Sequence, residues 1–469
     1  MEKKQQFSLK DNCKQRLKTA LEDIMRQNKT VQQYILITDQ NSLKIISSLM
    51  KMTELLELNI ISVEKIDNER PKHSKHHAIY FISPYQDSID LLLNDFPQKK
   101  GENQYGKVHL YLTNRIEENL MSKIATNKYL LNRILTFKEF NQDFACKFDN
   151  IFNLEVLDSL KTIFSESGKE YKNKIMEISD KISTVILSFE RMFSIEIFYN
   201  IHENKISQTI AEQMNERLKN ILNQLQSENS EQINRKSGKI TVLILDRSFD
   251  VLTPFLRDFH YQPLLYDVLD IKNDIVEYWI NEGPKEVLKK SQLNEQDELF
   301  KKYRFAHIGE VMSGIGEQFN DFVKINSTAK VQMAGGVIED LDFGKMQEII
   351  RSMPQYQEQL AKYNMHMKLI GDIWKVFEDK NLKDLGELEQ NLSTGIDGNG
   401  EKIKEKAIYG QALQIIQNDI LNDYDKIRLK NKLANLLGGE GEEDEVGGSQ
   451  FLNQNEYVDA LCDMKCSEI

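Results

Sequence analysis

Short apolar runs rich in β-branched residues alternate with helical patterns in the first third of the chain, and this alternation constrains the fold more than any other feature. The runs are Tyr34–Thr38, Ile60–Val63, Ala78–Ile82 and Val108–Leu112. Apolar residues recur at helical spacing in the segments 11–28, 42–57, 87–96 and 116–124. Strands that alternate with helices form parallel sheets covered on both faces. Residues 1–150 are therefore predicted to form an open parallel α/β domain.

The rest of the chain divides into a helix-rich segment, a second strand and a long helical region. Residues 155–227 read mostly as helices, including 182–198 and 206–225, and Ile240–Leu245 reads as a buried strand. Pro254 and Pro263 open a mainly helical stretch. An acidic, glycine-rich segment begins at Gly438 and is predicted to be disordered. The predicted organisation is 1–150 (α/β), 151–255 (α/β and incomplete), 256–437 (mostly helical) and 438–469 (tail).

Composition excludes several classes of protein. The 73 acidic residues outnumber the 61 basic ones, which disfavours a general nucleic-acid binder. The cysteines are Cys13, Cys146, Cys462 and Cys466, too few and too scattered for a disulfide framework. The charged amino terminus lacks a signal-peptide core, and no apolar run is long enough to cross a bilayer. We therefore expect a cytoplasmic protein that meets membranes only through partners.

No sequence motif for catalysis, cofactor or metal is found. The chain lacks a phosphate-binding Gly-x-x-x-x-Gly-Lys-Ser/Thr loop, a dinucleotide-binding Gly-x-Gly-x-x-Gly turn, a Gly-x-Ser-x-Gly elbow and a His-Glu-x-x-His helix. His73, His76 and His77 lie in a lysine-rich stretch without nearby carboxylates or cysteines, which is typical of a solvated loop. The expectation is a protein that is not an enzyme and holds no cofactor or metal.

Asp246 and Asp250 are the carboxylates that most resemble a catalytic pair. They follow the strand at Ile240–Leu245, and α/β enzymes place catalytic groups at the carboxyl ends of strands. In the structural alternative, Arg247 lies between the two carboxylates and fixes a turn by charge-assisted hydrogen bonds. Because no nucleophile or cofactor loop is nearby, the sequence favours the structural turn.

The segment Val242–Tyr278 contains an ordered series of motifs: Leu-Asp-Arg-Ser-Phe-Asp, a proline, Tyr-Gln-Pro-Leu-Leu-Tyr-Asp-Val-Leu and Lys-Asn-Asp. This series resembles the hallmark block of the SM (Sec/Munc, syntaxin-binding) family. The segments 35–64, 353–363 and 423–429 are similar to further parts of that family, the second of them to its plasma-membrane branch. The resemblance covers roughly residues 30–430.

The resemblance implies a three-domain arch whose cavity grips a syntaxin-type SNARE and the assembled SNARE bundle. By position, Asp39, Lys44, Lys51 and Glu64 fall where the family's first domain touches syntaxin. Leu120, Met121 and Ile124 align with an outer pocket for the syntaxin's N-terminal peptide. Alternatively, these three residues form the buried stripe of a helix. Charges around a cleft set register and association rate more than affinity.

Pro354 and Met367 align with the family's helical hairpin, which implies a template for a vesicle SNARE helix. Proline disrupts a helix interior, so Pro354→Ala is expected to lengthen the helix and promote SNARE assembly. The expected function is that of a SNARE-binding regulator of vesicle docking and fusion in exocytosis, recruited by SNAREs to the plasma membrane or to vesicles.

Family members usually continue beyond the point where this chain becomes acidic, and the continuation completes the middle domain. Residues 151–255 are therefore expected to carry an unfilled sheet edge or exposed apolar side chains. Two rival functions remain open at this stage. One is an α/β enzyme using Asp246 and Asp250, and the other is a truncated SM fragment with weak or regulatory syntaxin binding.

Overall fold

The computed structural model describes most of the chain up to residue 429. The described residues are 8–28, 31, 33–97, 103–157, 159–164, 168–189, 194–201, 205–228, 238–250, 253–272, 274–282, 285–335, 343–397, 399–402, 410–412, 414–415, 425–426 and 429. The expected tail at 438–469 lies outside them. The chain divides into two compact units, Met1–Phe249 and Asp250–Ile469, which are described separately.

A five-stranded sheet forms the centre of the first unit. Its strands are β1 (Tyr34–Thr38), β2 (Ile60–Lys65), β3 (His73–Ile82), β4 (Tyr105–Leu112) and β5 (Ile134–Glu139). They lie in the order β2-β1-β3-β4-β5 and every pair is parallel. The helices in this part are α1 (Leu9–Gln27), α2 (Gln40–Leu49), α3 (Met52–Glu57), α4 (Gln86–Asn94), α5 (Glu118–Thr126) and α6 (Lys128–Leu131). The predicted open parallel α/β sheet is confirmed.

Alternate residues of the central strands belong to two separate apolar cores, one on each face of the sheet. Tyr34 and Leu36 of β1 belong to one apolar cluster, which includes the buried face of α1. Ile35 and Ile37 point the other way and belong to a second cluster with residues of α4 and α5. Burial on both faces explains why the strand sequences are continuously apolar instead of alternating.

The interpretation of His73, His76 and His77 as a solvated loop was wrong. These residues form the first part of β3, where His77 lies beside Tyr34 in parallel register. His77 also packs near His109 of β4, with ring centroids 5.7 Å apart. Pairing with neighbouring strands extends β3 past the apolar run, which local sequence pattern does not reveal.

The first unit continues with a second set of elements. They are β6 (Ala145–Phe148), β7 (Ile151–Asn153), α7 (Ser159–Phe164), α8 (Gly168–Leu187), β8 (Ser194–Tyr199), α9 (Ile206–Glu228) and β9 (Lys239–Ile244). β8 pairs with β9 in parallel, so the helix predicted over 182–198 ends early and is followed by a strand. The strand predicted to be buried at 240–245 is not: Leu243 is 64% exposed, and Phe198 of β8 is 54% exposed. These exposed apolar side chains match the expectation for residues 151–255.

The second unit is mainly helical but contains a β-hairpin. Its elements are α10 (Tyr261–Val268), β10 (Ile275–Glu282), β11 (Lys285–Gln292), α11 (Glu298–Tyr303), α12 (Ile308–Gly335), α13 (Phe343–Asp379) and α14 (Leu382–Thr394). The antiparallel pair β10–β11 was not foreseen within the region predicted to be helical. Among the described residues, no helix is long and apolar enough to cross a membrane.

Candidate functional site

The carboxyl edge of the five-stranded sheet is where a parallel α/β domain commonly binds its ligand. The strand order reverses direction between β1 and β3, and parallel α/β sheets bind ligands in the crevice at such a reversal. The residues that follow the strands there are polar, among them Asp39 after β1, Ser83 after β3 and Asn114 after β4. The hydrogen bonds of these polar groups decide whether they are free to bind a ligand.

Asp39 is occupied by contacts within the protein. It is the N-cap of α2, and its Oδ1 accepts a 2.7 Å hydrogen bond from the backbone N–H of Ser42. Its Oδ2 accepts bonds from the backbone N–H of Ser83 at 2.6 Å and from the hydroxyl of Ser88 at 2.9 Å. The residue is only 8% exposed. This carboxylate therefore joins β1, α2 and the end of β3, and its expected contact with a syntaxin stays a prediction.

A buried ionic network fills the next part of the edge. Asp143, 1% exposed, accepts hydrogen bonds from Asn41 at 2.7 Å and from Asn114 at 3.1 Å. The ammonium of Lys181 on α8 lies 3.6 Å from the same carboxylate and donates to the carbonyl of Leu154 at 2.9 Å. A buried charge is tolerated only when it is paired and hydrogen-bonded, as both of these are.

α9 adds a second cation to this network. Arg217 donates to the side-chain oxygen of Asn114 and forms an ion pair with Asp180 of α8. Asn114 therefore connects Arg217 to Asp143. The chain's own side chains thus occupy the carboxyl edge between β1 and β4, where a cofactor would otherwise bind.

An open pocket remains beside this network, at the carboxyl ends of β1 and β2. Its volume is about 420 Å³. It is lined by Thr38, Leu43, Val63, Glu64, Lys65, Asn68, Glu69, Arg70 and Pro71. Both signs of charge are present in the lining. Such a surface suits a partner that carries charges of both signs, as many helices do.

Glu64, one of the expected syntaxin contacts, is held in place at this pocket. It accepts hydrogen bonds from the hydroxyls of Ser62 at 3.0 Å and Tyr105 at 3.1 Å. Arg70, another lining residue, is fixed by the carboxylate of Asp95, with both oxygens within 3.0 Å of one guanidinium nitrogen. Burial raises the pKa of Asp95, although Arg70 and a tyrosine hydroxyl stabilise its charge. These bonds hold Glu64 at the pocket wall, whereas the guanidinium of Arg70 is buried and neutralised by Asp95.

Of the two expected lysine contacts, Lys44 lies in the middle of α2 and Lys51 is the N-cap of α3. Lys44 is exposed, follows the pocket residue Leu43, and pairs with Glu155 at 2.7 Å. Lys51 is exposed at the start of α3, where its backbone N–H donates to Glu54. Of the expected contacts, the structure places Glu64 in the pocket lining, whereas neither Lys44 nor Lys51 is among the lining residues.

The three residues expected to form a pocket for an N-terminal peptide differ in how far they are buried. Leu120 and Ile124 on α5 are 4% and 2% exposed and belong to a core of the sheet, whereas Met121 is 39% exposed. The spacing of four residues places Leu120 and Ile124 on one inward face of the helix. Leu120 and Ile124 thus form the buried stripe of the helix, and the peptide pocket stays a prediction. Met121 alone remains available to a peptide.

The two expected hairpin residues lie on α13. Pro354 is in the interior of this helix, eleven residues after its start, and α13 packs against α12. The segment 336–342 between the two helices lies outside the described residues. Met367 is half-buried next to the fully buried His366. Because the helix already runs through Pro354, replacing the proline would stabilise the turn before it and would not create a new one.

The turn after β9 is held by Asp246. Its carboxylate accepts hydrogen bonds from Asn200 and from Ser207 of α9, both at 3.1 Å. Asp250 accepts the backbone N–H of Thr253 at 3.0 Å, and Arg247 lies in the short 3-10 turn between the two aspartates. The contacts of Asp246 tie β9 to α9, and the expected pairing of Arg247 with the two aspartates stays a prediction. In the part of the chain that the structure describes, no group of three or more metal-binding side chains is found.

Sequence reasoning missed Lys181, Arg217 and Arg70. Lys181 lies between Ile178 and Ile182 in the apolar stripe of α8, and a charged residue at such a position is the signal that could have marked it. Its partner Asp143 is on another element, so the pair itself could not be read from the sequence.

Comparison with known proteins agrees with this architecture. The model of the Sec1 family matches residues 34–431. The "Protein transport protein sec1" of Dictyostelium discoideum is 31% identical over 457 residues, covering 96% of this chain and 73% of that protein. The protein of the same name from Schizosaccharomyces pombe is 24% identical, covering 84% of this chain and 55% of that protein. The chain thus spans about half to three quarters of the length of these two relatives.

Two solved structures share the fold. The Unc18–syntaxin 1 complex from Monosiga brevicollis matches with a TM-score of 0.74 at 24% identity, covering 92% of this chain and 76% of that one. The SM protein Vps45 in complex with the Qa SNARE Tlg2 matches with a TM-score of 0.73 at 18% identity, covering 97% and 73%. With the family model matching most of its length, this chain belongs to the Sec1 family.

Proposed function

We propose that this chain binds a syntaxin-type SNARE and thereby regulates the docking and fusion of vesicles. The observation that carries the proposal is the Sec1-family match, which runs from residue 34 to residue 431 and so includes residues of both units. Relatives of the same fold were solved with syntaxin 1 and with the Qa SNARE Tlg2. In this proposal the protein works in the cytoplasm and is recruited to membranes by SNAREs.

The pocket beside β1 and β2 is the proposed contact surface in the first unit. Its wall carries Glu64 and Arg70, and Lys44 follows a lining residue. Fixed charges of both signs favour one register of a charged helix over others, since like charges brought together cost free energy. We propose Glu64 and Lys44 as contacts, with Met121 contributing an apolar contact to an N-terminal peptide.

An exocytic role is the finer proposal. It rests on the identity of 31% to a sec1 protein, compared with 24% to Vacuolar protein sorting-associated protein 45 of the same organism, Dictyostelium discoideum. The corresponding alternative is a role in vacuolar sorting. In the exocytic proposal, α12 and α13 offer a surface to a vesicle SNARE helix and to the assembled SNARE bundle.

We further propose that the protein acts without catalysis and without a cofactor. The support is that Asp246 is engaged by Asn200 and Ser207, as expected of a turn-forming residue. A rival proposal is weak or regulatory syntaxin binding, since the chain spans 53–57% of the length of several sec1 relatives. The two proposals differ in the affinity they predict.

Isothermal titration of the purified chain with syntaxin cytoplasmic fragments tests the proposal. We expect binding to a plasma-membrane-type syntaxin, tighter than to a Tlg2-type syntaxin, and at least tenfold weaker binding after Glu64→Lys or Lys44→Glu. Arg26→Glu is the matched control, because Arg26 is an exposed charge near the opposite, amino-terminal edge of the sheet. Removing the N-terminal peptide of the syntaxin separates the contribution of Met121 from that of the pocket.

Each outcome distinguishes between the candidates. Tight binding to the Tlg2-type fragment alone would refute the exocytic role and keep the family function. Weak binding that does not respond to Glu64→Lys would favour the regulatory fragment. The absence of binding to either syntaxin would refute the proposal.

A further inference from the structure

A pair of histidines in the second unit plays no part in the proposed SNARE contacts. His260 directly precedes α10 and His307 directly precedes α12, and the two residues form an isolated antiparallel β-bridge. Two backbone N–H···O=C bonds, each of 2.9 Å, flank the bridge: from Tyr261 to Ala306 and from Ile308 to Phe259. Because these bonds lie on either side of the histidines, His260 and His307 are a non-hydrogen-bonded pair, in which opposite side chains approach each other most closely.

Both imidazole rings project from one face of the bridge into solvent. Residues opposite each other in an antiparallel pair have Cβ atoms about 4.5–5.5 Å apart on the same face. The ring centroids of His260 and His307 are 6.4 Å apart, and both residues are exposed. Two imidazoles that share a zinc ion through Zn–N bonds of about 2.0–2.1 Å have centroids about 5–6 Å apart. A small rotation of two exposed side chains therefore brings one nitrogen of each ring to a common ion.

Asp258 orients the first of these rings. Its Oδ1 accepts the backbone N–H of His260 at 2.8 Å and lies 2.5 Å from the ring Nδ1 of the same residue. The carboxylate therefore holds the ring proton on Nδ1 and leaves the lone pair of Nε2 for a metal ion. Histidines that bind metals in proteins almost always donate their other ring N–H to a carboxylate, a carbonyl or water in this way.

We propose that His260 and His307 bind a divalent transition-metal ion of the Zn²⁺ class, with Asp258 as the positioning residue of the site. Imidazole nitrogen suits zinc, copper and nickel, whereas magnesium and calcium prefer oxygen ligands. The two histidines are 47 residues apart in the sequence, so no local motif marks them. With two protein ligands, and water in the other positions, the site is smaller than the groups of three that are absent from the described part of the chain. The ion is therefore exchangeable.

Binding changes the position of the proton on the second ring. The backbone N–H of Gly309 donates to Nδ1 of His307 at 3.2 Å, which places the ring proton on Nε2. When Nε2 gives its lone pair to the metal, this proton moves to Nδ1, and the N–H of Gly309 turns to water at its exposed position. No proton is released in this step. The amide of Gly309 therefore reports on the occupation of the site.

The ion links the starts of two helices. The bridge joins the segment before α10 to the segment before α12, and an ion shared by both histidines opposes its opening. An ion that binds only the closed bridge lowers the open population about tenfold when its concentration is ten times its dissociation constant. We expect the amide exchange of Tyr261 and Ile308, which donate the two bridge bonds, to slow by that factor.

Zinc chloride is titrated into the metal-free full chain with Cys462→Ser and Cys466→Ser, which removes the two thiols of the tail. Calorimetry gives the dissociation constant. Protection of histidines from diethyl pyrocarbonate, measured by mass spectrometry, locates the ion. We expect zinc, and not magnesium, to protect His260 and His307 and to shift the amide resonance of Gly309.

Variants at exposed positions separate the ligands from the positioning residue. His260→Gln and His307→Gln should each weaken zinc binding at least tenfold. Asp258→Ala should weaken it by roughly 10- to 100-fold. Asp258→Asn keeps an acceptor oxygen for the ring N–H and should recover most of that loss. Equal zinc affinity in Asp258→Ala and the wild type would refute the positioning role.

The matched control is His73→Gln with His76→Gln, because these two rings lie 5.4 Å apart on β3. This variant should leave the zinc protection of His260 and His307 unchanged. Zinc that protects neither of these two residues, or binding that persists undiminished in both of their single variants, would overturn the proposal. Zinc binding that leaves the amide exchange of the bridge unchanged would refute the link between the two helix starts.

Discussion

Lowering the pH from 7.5 to 5 is predicted to destabilise the first unit through His109. This side chain lies on β4 with no exposed surface, its Nδ1 is 3.0 Å from the hydroxyl of Thr136, and its ring is near that of His77. Burial lowers the pKa of His109 to about 4, and the neighbouring His77 contributes in the same direction. Folding therefore favours the neutral ring. The stability that results is present above the unfolded pKa and is lost as pH falls toward the folded pKa.

The size of the effect follows from the two pKa values. With about 6.5 for an unfolded histidine and about 4 in the fold, the full effect is about 3.4 kcal/mol. At pH 5 the unfolded histidine is almost fully protonated and the folded one almost neutral, so about 2 kcal/mol is lost relative to pH 7.5. A loss of that size lowers the protection of β4 amides by about 30-fold. Burial lowers the pKa of His77 as well, so its titration adds to the same trend.

Hydrogen exchange measured on peptides that cover Tyr105–Leu112 provides the assay. Tryptophan fluorescence is unsuitable because Trp279 and Trp374 both lie in the second unit. After correction for the intrinsic pH dependence of exchange, His109→Gln should lose about 2 kcal/mol less than the wild type between the two pH values. His260→Gln, at an exposed histidine, should behave like the wild type. If His109→Gln keeps the full pH dependence, the reasoning from burial is refuted.

Three further predictions concern the residues that close the sheet edge and the hairpin helix. Asp39→Ala removes the α2 cap and leaves the buried N–H of Ser83 without an acceptor. Urea unfolding should therefore show a decrease of about 2–4 kcal/mol in the free energy of unfolding. The control Asp87→Ala, at an exposed position, should decrease it by less than about 0.5 kcal/mol. Lys181→Met leaves Asp143 buried and unpaired and should cost about 3–5 kcal/mol in the same assay, with much of the loss recovered by adding Asp143→Asn. Because α13 already runs through residue 354, Pro354→Ala should slow hydrogen exchange in the turn before that residue and increase SNARE-dependent liposome fusion; an unchanged fusion rate would contradict the template proposal.

The sheet could be predicted from the sequence because each central strand is buried on both faces. Continuous apolar runs such as Tyr34–Thr38 have no other simple explanation when helical patterns lie between them. Pairing between strands that are distant in sequence leaves no such pattern. For this reason the start of β3, five residues before its apolar run, was not predicted, and β8 was predicted as part of a helix. The hairpin β10–β11 did have a local signal, since Ile275–Glu282 is rich in β-branched and aromatic residues.

The roles of the charged residues at the candidate site were harder to predict, because a carboxylate that caps a helix and one that lines a pocket look alike in a sequence. Asp39 and Glu64 both follow or end buried strands, yet one caps a helix and the other lines a pocket. The capping role of Asp39 could have been predicted, because Ser42 lies three positions later and the two residues form a capping box. Asp143 is 38 residues from Lys181 and Asp180 is 37 residues from Arg217, and only the folded chain brings these pairs together.

The closed carboxyl edge has a consequence for where this molecule meets its partners. In most parallel α/β sheets the reversal between neighbouring strands is left open, and a cofactor or substrate binds there. Here Asp143 and Lys181 neutralise one another at that position, and Asn114 joins them to Arg217. The same residues attach α8 and α9 to the sheet, so the space that an enzyme gives to a ligand holds two helices in place. An open pocket lies at the carboxyl ends of β1 and β2, at the edge of the sheet. In the proposed function, this pocket is where a SNARE helix contacts Glu64, and its mixed charges would set the register of that helix more than its affinity.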